Sequence, residues 1–110
     1  MDISTLVQRL DSAVPGFASF VESDDNLFSS DTAHGVFAGC SDFVQDRKVS
    51  IQSWTALAEL LNEAVGGSDE DMDNAACTCF LENLAAKTHP LGPFLRGEAL
   101  MHWNRWCDPA

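Results

Sequence analysis

The chain has 110 residues, 45% of them hydrophobic, and its 17 acidic and 6 basic residues give a formal net charge of −11 at pH 7. This length and apolar content predict a single domain with one core, stable without disulfides or metal. Such a charge argues against direct binding to nucleic acid or to an anionic membrane, because both require a positive surface. No apolar run approaches the roughly 18 residues of a membrane span, and Met1–Ser4 shows no signal-peptide pattern. The sequence therefore predicts a cytoplasmic protein.

Apolar residues recur at intervals of three and four along the whole chain, which is typical of helices with one buried face. These stripes run from Ile3 to Leu10, Phe17 to Val21, Val36 to Val44, Trp54 to Ala64, Met72 to Leu84, and Ala99 to Trp106. No segment shows the sustained period-two alternation, bounded by hairpin turns, that indicates a sheet. We predict an all-α fold, a compact bundle of five or six short helices in a single domain over residues 1–110.

Turn signals separate these stripes. Pro15-Gly16 ends the first helix, Ser29-Ser30-Asp31 offers capping residues for the third, and Gly66-Gly67 ends the fourth. His89–Pro93 forms a rigid turn before a last helix of about Arg96–Trp106. Short loops therefore connect the predicted helices.

Two glycines, Gly35 and Gly39, fall inside the third predicted helix. Each costs about 1 kcal/mol relative to alanine in an exposed helix interior. A close approach by a neighbouring segment would explain why a side chain is missing at both positions. We therefore expect tight packing against this part of the third helix.

Four acidic residues follow Gly66-Gly67 within five positions: Asp69, Glu70, Asp71 and Asp73. The alternating aspartates suggest a calcium loop. An EF-hand that starts at Asp69 needs glycine at its sixth position and glutamate at its twelfth, where this chain has Asn74 and Phe80. The calcium interpretation fails at both positions, and no metal or other cofactor is predicted.

The same acidic run fits the start of a fifth helix. Ser68 is expected to cap it, and Asp71 three residues later completes a capping box. The carboxylates of the first turn then lie at the positive end of the helix dipole. The apolar stripe behind them predicts that this helix continues towards Lys87.

The negative charge is concentrated in the first two thirds of the chain. Residues 1–73 carry 14 acidic and 3 basic residues, a net charge of 3 − 14 = −11, whereas residues 74–110 carry 3 of each and balance to zero. Like charges also recur four residues apart on predicted helices, in the pairs Asp42 and Asp46, and Glu59 and Glu63. Because such pairs repel by a few tenths of a kcal/mol, we interpret them, with the 69–73 cluster, as a face that binds a basic partner. The alternative is that the acidity serves solubility alone.

No catalytic constellation emerges, and we predict that the chain is not an enzyme. Cys77 and Cys79 are two residues apart on a helix, so they point about 200° apart and cannot bridge each other. A nucleophilic pair of Cys79 with His102 stays open, although no other sign of an active site supports it. The three tryptophans are expected in the core or at its rim, and Trp103 is our candidate for a hydrophobic anchor in an interface.

Several short motifs in residues 57–106 resemble small acidic all-helical immunity proteins of bacterial polymorphic-toxin systems, which counter contact-dependent or secreted effectors. They are Cys79–Leu84 on an alanine-rich helix behind an acidic cap, Leu91–Leu95, and the closing Trp103–Trp106. The resemblance implies a non-enzymatic inhibitor that binds a cognate toxin domain and blocks its active site. Many such toxin domains have basic clefts, which an acidic face would suit.

Our hypothesis is that the interface comprises Asp42, Asp46, Glu59, Glu63, Asp69, Glu70, Asp71, Asp73 and Trp103. The partner would be a basic protein, with no direct contact to nucleic acid or membrane. The alternative function is an acidic nucleic-acid mimic or adaptor that regulates a basic host protein. A mimic would bind several basic partners, whereas an immunity protein would bind one.

Overall fold

The computed structural model describes residues 1–84, 86 and 89–107. Its α-helices are α1 (Ile3–Ala13), α2 (Phe17–Val21), α3 (Ala33–Gln45), α4 (Ile51–Ala64), α5 (Glu70–Ala75), α6 (Glu82–Leu84) and α7 (Gly97–Trp106). A π-helical segment, Ala76–Leu81, joins α5 to α6 without a break, and a 3₁₀ turn, Gly92–Phe94, precedes α7. The described residues contain no strand, and α5, the π segment and α6 count as one helix of six, so the all-α prediction is confirmed. The predicted extension towards Lys87 lies outside the described residues.

The apolar stripes form one continuous core. Its fully buried members include Leu6 and Leu10 of α1, Phe37 and Cys40 of α3, Leu57 and Leu61 of α4, and Phe80 of the π segment. The rings of Phe37 and Phe80 meet edge to face at 6.2 Å between centroids, which joins α3 to the π segment. Burying such a side chain contributes roughly 1.5–3 kcal/mol. Within the described ranges, no helix combines the length and apolar character needed to cross a bilayer.

Two predicted helix caps are wrong by one or more residues. Thr32, not a residue of 29–31, caps α3: its Oγ1 accepts a hydrogen bond from the Gly35 N–H at 3.0 Å. Asp69, not Ser68, caps α5, because its extended backbone lets Oδ1 accept from the Met72 N–H at 3.2 Å. Serine, threonine and aspartate cap helices almost equally well, so adjacent candidates could not be ranked from residue type.

The loop over residues 22–32 packs closely on α3, as the two helix glycines predicted. A Cβ at Gly35 would lie 2.1 Å from the carbonyl oxygen of Ser29, and one at Gly39 would lie 3.0 Å from Oδ1 of Asn26. Asn26 is itself fixed, because its amide donates to the Val21 carbonyl at 3.0 Å and its Oδ1 accepts from the Phe28 N–H at 3.1 Å. The missing side chains therefore let this loop approach the first turns of α3.

Candidate acidic binding site

The first turns of three helices meet around one open cavity of about 480 Å³. Its lining includes the N-cap residues of α1, α3 and α5, which are Asp2, Thr32 and Asp69. Helix N-termini carry a partial positive charge from unpaired backbone N–H groups, which favours carboxylates nearby. The capping chemistry of these helices thus gathers acidic side chains in one place.

Four aspartates line this cavity: Asp2, Asp31, Asp69 and Asp71. We call them the carboxylate cluster. Two of its members are helix caps, since Oδ1 of Asp2 accepts from the Thr5 N–H at 2.7 Å and Oδ1 of Asp69 accepts from the Met72 N–H at 3.2 Å. These backbone hydrogen bonds lower the pKa of both carboxyl groups. Both side chains therefore stay ionised well below neutral pH.

The other two members, Asp31 and Asp71, are exposed and cap none of the described helices. In the described part of the chain, no group donates a hydrogen bond to either carboxylate. The hydroxyl of Ser29 accepts from the Asp31 N–H at 3.1 Å, which orients the backbone at the cavity edge. These two carboxylates are consequently available to a ligand of opposite charge.

Positive charge is scarce at the cavity. Its described lining contains no lysine or arginine, and the amino group of Met1 lies 3.4 Å from Oδ2 of Asp69. Ile3, Ala33 and Met72 add apolar surface between the carboxylates. A lining of carboxylates and apolar side chains suits a lysine or arginine side chain, which has an aliphatic stem and a cationic head.

The predicted pair Glu59 and Glu63 is not an unpaired acidic surface. Oε2 of Glu59 lies 2.7 Å from Nη2 of Arg96, and Oε2 of Glu63 lies 2.7 Å from Nη2 of Arg9. Each pair is bidentate, and these hydrogen bonds lower the pKa of both glutamates. Arginines from other parts of the chain compensate the two charges. The inference that repulsion between them is tolerated for function is therefore wrong at this pair.

The remaining predicted acidic residues do not join the carboxylate cluster. Asp46 is the C-cap of α3, and the 13 residues of that helix separate it from Asp31 by about 20 Å at 1.5 Å per residue. Asp42 lies on the last turns of the same helix. Glu70 is exposed in the first turn of α5, while Asp73 turns back and accepts from the Gly66 N–H at 3.1 Å. The structure thus splits the predicted face and keeps Asp69 and Asp71 together.

Trp103 is buried, with 4% of its surface exposed, so the structure does not support it as an interface anchor. Its indole packs beside His89, with ring centroids 5.9 Å apart, and its Nε1 would lie 3.1 Å from a Cβ at Gly92. Trp106, three residues later on α7, is instead 56% exposed. Helical spacing did not distinguish the two, because both belong to the same amphipathic stripe.

The open pairing of Cys79 with His102 is also wrong. Nε2 of His102 lies 3.0 Å from Oε2 of Glu82, whereas Sγ of Cys79 lies 3.3 Å from Nδ1 of His34 on α3. Cys77 faces elsewhere, with its Sγ 3.7 Å from Oδ1 of Asp73, as the predicted angle between the two cysteines requires. No group of three His, Cys, Asp or Glu side chains among the described residues is arranged to hold a metal ion.

Two members of the carboxylate cluster were missed in the sequence. Asp2 immediately precedes the first apolar stripe, and the sequence predicts Asp31 only as a candidate helix cap. Both lie at or beside a helix start, so an acidic residue at a predicted helix N-terminus is the sequence signal that identifies them. Their convergence, however, depends on how α1, α3 and α5 pack.

Together these features define a small all-α protein with an open, acidic cavity where three helices begin. No family model, curated protein or solved structure matches the chain.

Proposed function

We propose that this chain is an immunity protein that binds a cognate toxin domain and neutralises it. In this proposal, the acidic cavity receives a lysine or arginine from the basic active-site cleft of the toxin. The carboxylate cluster is the observation that carries the proposal, because two of its four members have no partner in the described part of the chain. The proposal requires no catalysis by this chain.

The shape of the cavity favours a side chain of a protein partner. At about 480 Å³ it is within the size range of small-ligand sites. A cationic head placed among several carboxylates gains charge-assisted hydrogen bonds, which are stronger than neutral ones. The apolar lining residues Ile3, Ala33 and Met72 would cover the aliphatic stem. The exposed indole of Trp106 is a further candidate contact outside the cavity.

The distribution of charge favours one localised contact over mimicry of a nucleic-acid backbone. A mimic needs an extended row of unpaired negative charges to replace successive phosphates. Here Arg9 and Arg96 compensate two of the predicted charges, and Asp46 lies at the other end of α3 from the cavity. A compact cluster suits the docking of one or two cationic side chains.

The test expresses the C-terminal domain of a large open reading frame adjacent to this gene, as the candidate toxin, with and without this chain. We expect the toxin alone to stop growth, and co-expression to restore growth through a one-to-one complex. Affinity is then compared for two charge-matched double variants. Asp31→Asn with Asp71→Asn alters the cavity, whereas Asp42→Asn with Asp46→Asn alters the far part of α3.

Both double variants change the net charge by two, so long-range electrostatic attraction falls by a similar amount. We expect the cavity variant to weaken binding by about 100-fold, since each lost close charge pair costs on the order of tenfold or more. The control should change binding by less than about threefold. Equal losses would remove the cavity from the proposal. Absence of rescue and of binding would favour the mimic or adaptor function, which binding to several unrelated basic proteins would then support.

A further inference from the structure

A thiol–imidazole pair lies next to the acidic cavity and has no part in the proposed function. Nδ1 of His34 is 3.3 Å from Sγ of Cys79. His34 lies in the first turn of α3 and lines the cavity, while Cys79 belongs to the π-helical segment Ala76–Leu81. Single π-helical turns within α-helices are frequent at functional sites. The pair therefore joins two elements that are far apart in sequence.

Two other thiols have surroundings that suppress reactivity. Cys40 is fully buried in the core, and burial raises the pKa of its thiol. Cys77 is half-buried beside the carboxylate of Asp73, and burial followed by this negative charge raises the pKa of its thiol to about 11. Because the thiolate is the reactive form, both are poor nucleophiles at neutral pH. Cys79 is also half-buried, but its neighbour is a base.

We infer that Cys79 is a modification site of this protein, with His34 as the base that activates it towards low-molecular-weight disulfides. Nδ1 accepts the thiol hydrogen when the imidazole carries its own proton on Nε2. An imidazole within hydrogen-bond reach of a thiol is the usual arrangement for such activation. The product would carry its adduct one side chain away from the acidic cavity.

The proposed reaction is a thiol–disulfide exchange, which needs no reagent other than the small disulfide. His34 takes the proton of Cys79, and the thiolate attacks one sulfur of a disulfide R–S–S–R. The S–S bond of the reagent breaks as the bond to Cys79 forms, and the leaving thiolate takes the proton from the imidazolium. The products are a mixed disulfide at Cys79 and one equivalent of the thiol R–SH.

The test uses bis(2-hydroxyethyl) disulfide on the folded chain, because this probe is uncharged and insensitive to the net charge of the protein. Acid quenching and peptide mass mapping give the rate at each cysteine. We expect Cys79 to react at least about tenfold faster than Cys77 at pH 7.5. We also expect His34→Asn to slow Cys79 by about tenfold and leave Cys77 unchanged, since the amide can accept a hydrogen bond but cannot take the proton.

The pH dependence of the wild-type chain gives an answer even where the variant does not fold. In guanidinium, where the pair is absent, lowering the pH from 8.5 to 7.0 should slow Cys79 about 16-fold, as for an ordinary thiol of pKa near 8.5. In the folded chain we expect a decrease of less than about threefold, because the proton of Cys79 passes to the imidazole 3.3 Å away and the rate then depends less on hydroxide in solution. Equal rates at Cys77 and Cys79, or the same steep pH dependence with and without guanidinium, would overturn the inference.

Discussion

Replacement of Gly35 by alanine tests how the loop over residues 22–32 is held near the cavity. The new Cβ would lie 2.1 Å from the carbonyl oxygen of Ser29 and 2.8 Å from its carbonyl carbon. A normal contact needs more than 3 Å, so the loop backbone must move by about 1 Å or more. Such overpacking costs about 1–3 kcal/mol, and more where backbone must shift. Alanine regains about 1 kcal/mol of helix propensity, which leaves a net loss of about 2 kcal/mol.

Gly39→Ala is the matched control, because it makes the same change one turn later on α3. Its Cβ would lie 3.0 Å from Oδ1 of Asn26, which is the end of a side chain. A shift of a few tenths of an ångström relieves that contact, although Asn26 is held by two hydrogen bonds. The gain in helix propensity offsets this cost, so we expect stability within about 0.5 kcal/mol of the wild type.

Urea titration followed by circular dichroism compares the two variants. With a slope of about 1.5 kcal/mol per molar urea, Gly35→Ala should lower the midpoint by about 1.3 M, and Gly39→Ala should leave it nearly unchanged. If Gly35→Ala is as stable as Gly39→Ala, the Ser29 backbone does not restrict α3, and the described position of the loop is wrong. Because Asp31 follows Ser29 by two residues, the same shift should also weaken partner binding.

Two further predictions concern charged groups near the helix starts. Hydrogen bonds from the backbone lower the pKa of Asp2 and Asp69 in the folded state, so their stabilisation is fully present above the unfolded pKa near 3.9 and is lost as pH falls through the lower folded value. Asp2→Asn keeps a capping oxygen but does not titrate, so its Tm should be close to that of the wild type at pH 7. Between pH 4 and pH 2 its Tm should fall less than that of the wild type. Identical acid profiles would contradict the role of the Asp2 carboxylate as the cap of α1. For the exposed Arg9–Glu63 pair, a double-mutant cycle to alanine should give a coupling free energy below about 1 kcal/mol. This coupling free energy should decrease in 1 M salt. A value above about 2 kcal/mol would mean that the pair is not a surface contact.

The sequence was informative about helices because local rules determine them. The apolar stripe around Leu57 and Leu61 identified the buried face of α4, and Gly66 marked the end of that helix. Periodicity did not reveal the π-helical segment Ala76–Leu81, since one extra residue per turn leaves the apolar pattern almost unchanged over so short a stretch. Cap positions were displaced by one residue or more, because neighbouring polar residues compete for the same backbone groups.

The candidate site was less predictable, because its geometry depends on how helices pack. The identity of Glu59 and Glu63 suggested an unpaired acidic face, yet their partners Arg9 and Arg96 lie 54 and 37 residues away in the chain. Spacing within one helix contains no information on such partners. Trp103 and Trp106 likewise share one stripe, but Trp103 packs beside His89 and Gly92 and is buried, whereas Trp106 is exposed.

The carboxylate cluster contains two kinds of aspartate, so effects of substitution on partner binding can be distinguished from effects on stability. Asp2 and Asp69 stabilise helix starts, so a loss of binding after their replacement has two possible causes. Asp31 and Asp71 line the same cavity but cap none of the described helices. Their replacement by asparagine removes a helix-dipole contribution of about 0.3–1 kcal/mol at Asp71, so Tm should fall only slightly while affinity falls strongly. Affinity can also be measured through the stability of the folded chain, because a bound partner stabilises it. A partner at 100 times its Kd stabilises the folded chain by about 2.7 kcal/mol. A 100-fold weaker Kd at the same partner concentration reduces this to about 0.4 kcal/mol, so the thermal shift of the cavity variant should nearly disappear while that of the Asp42 and Asp46 control persists.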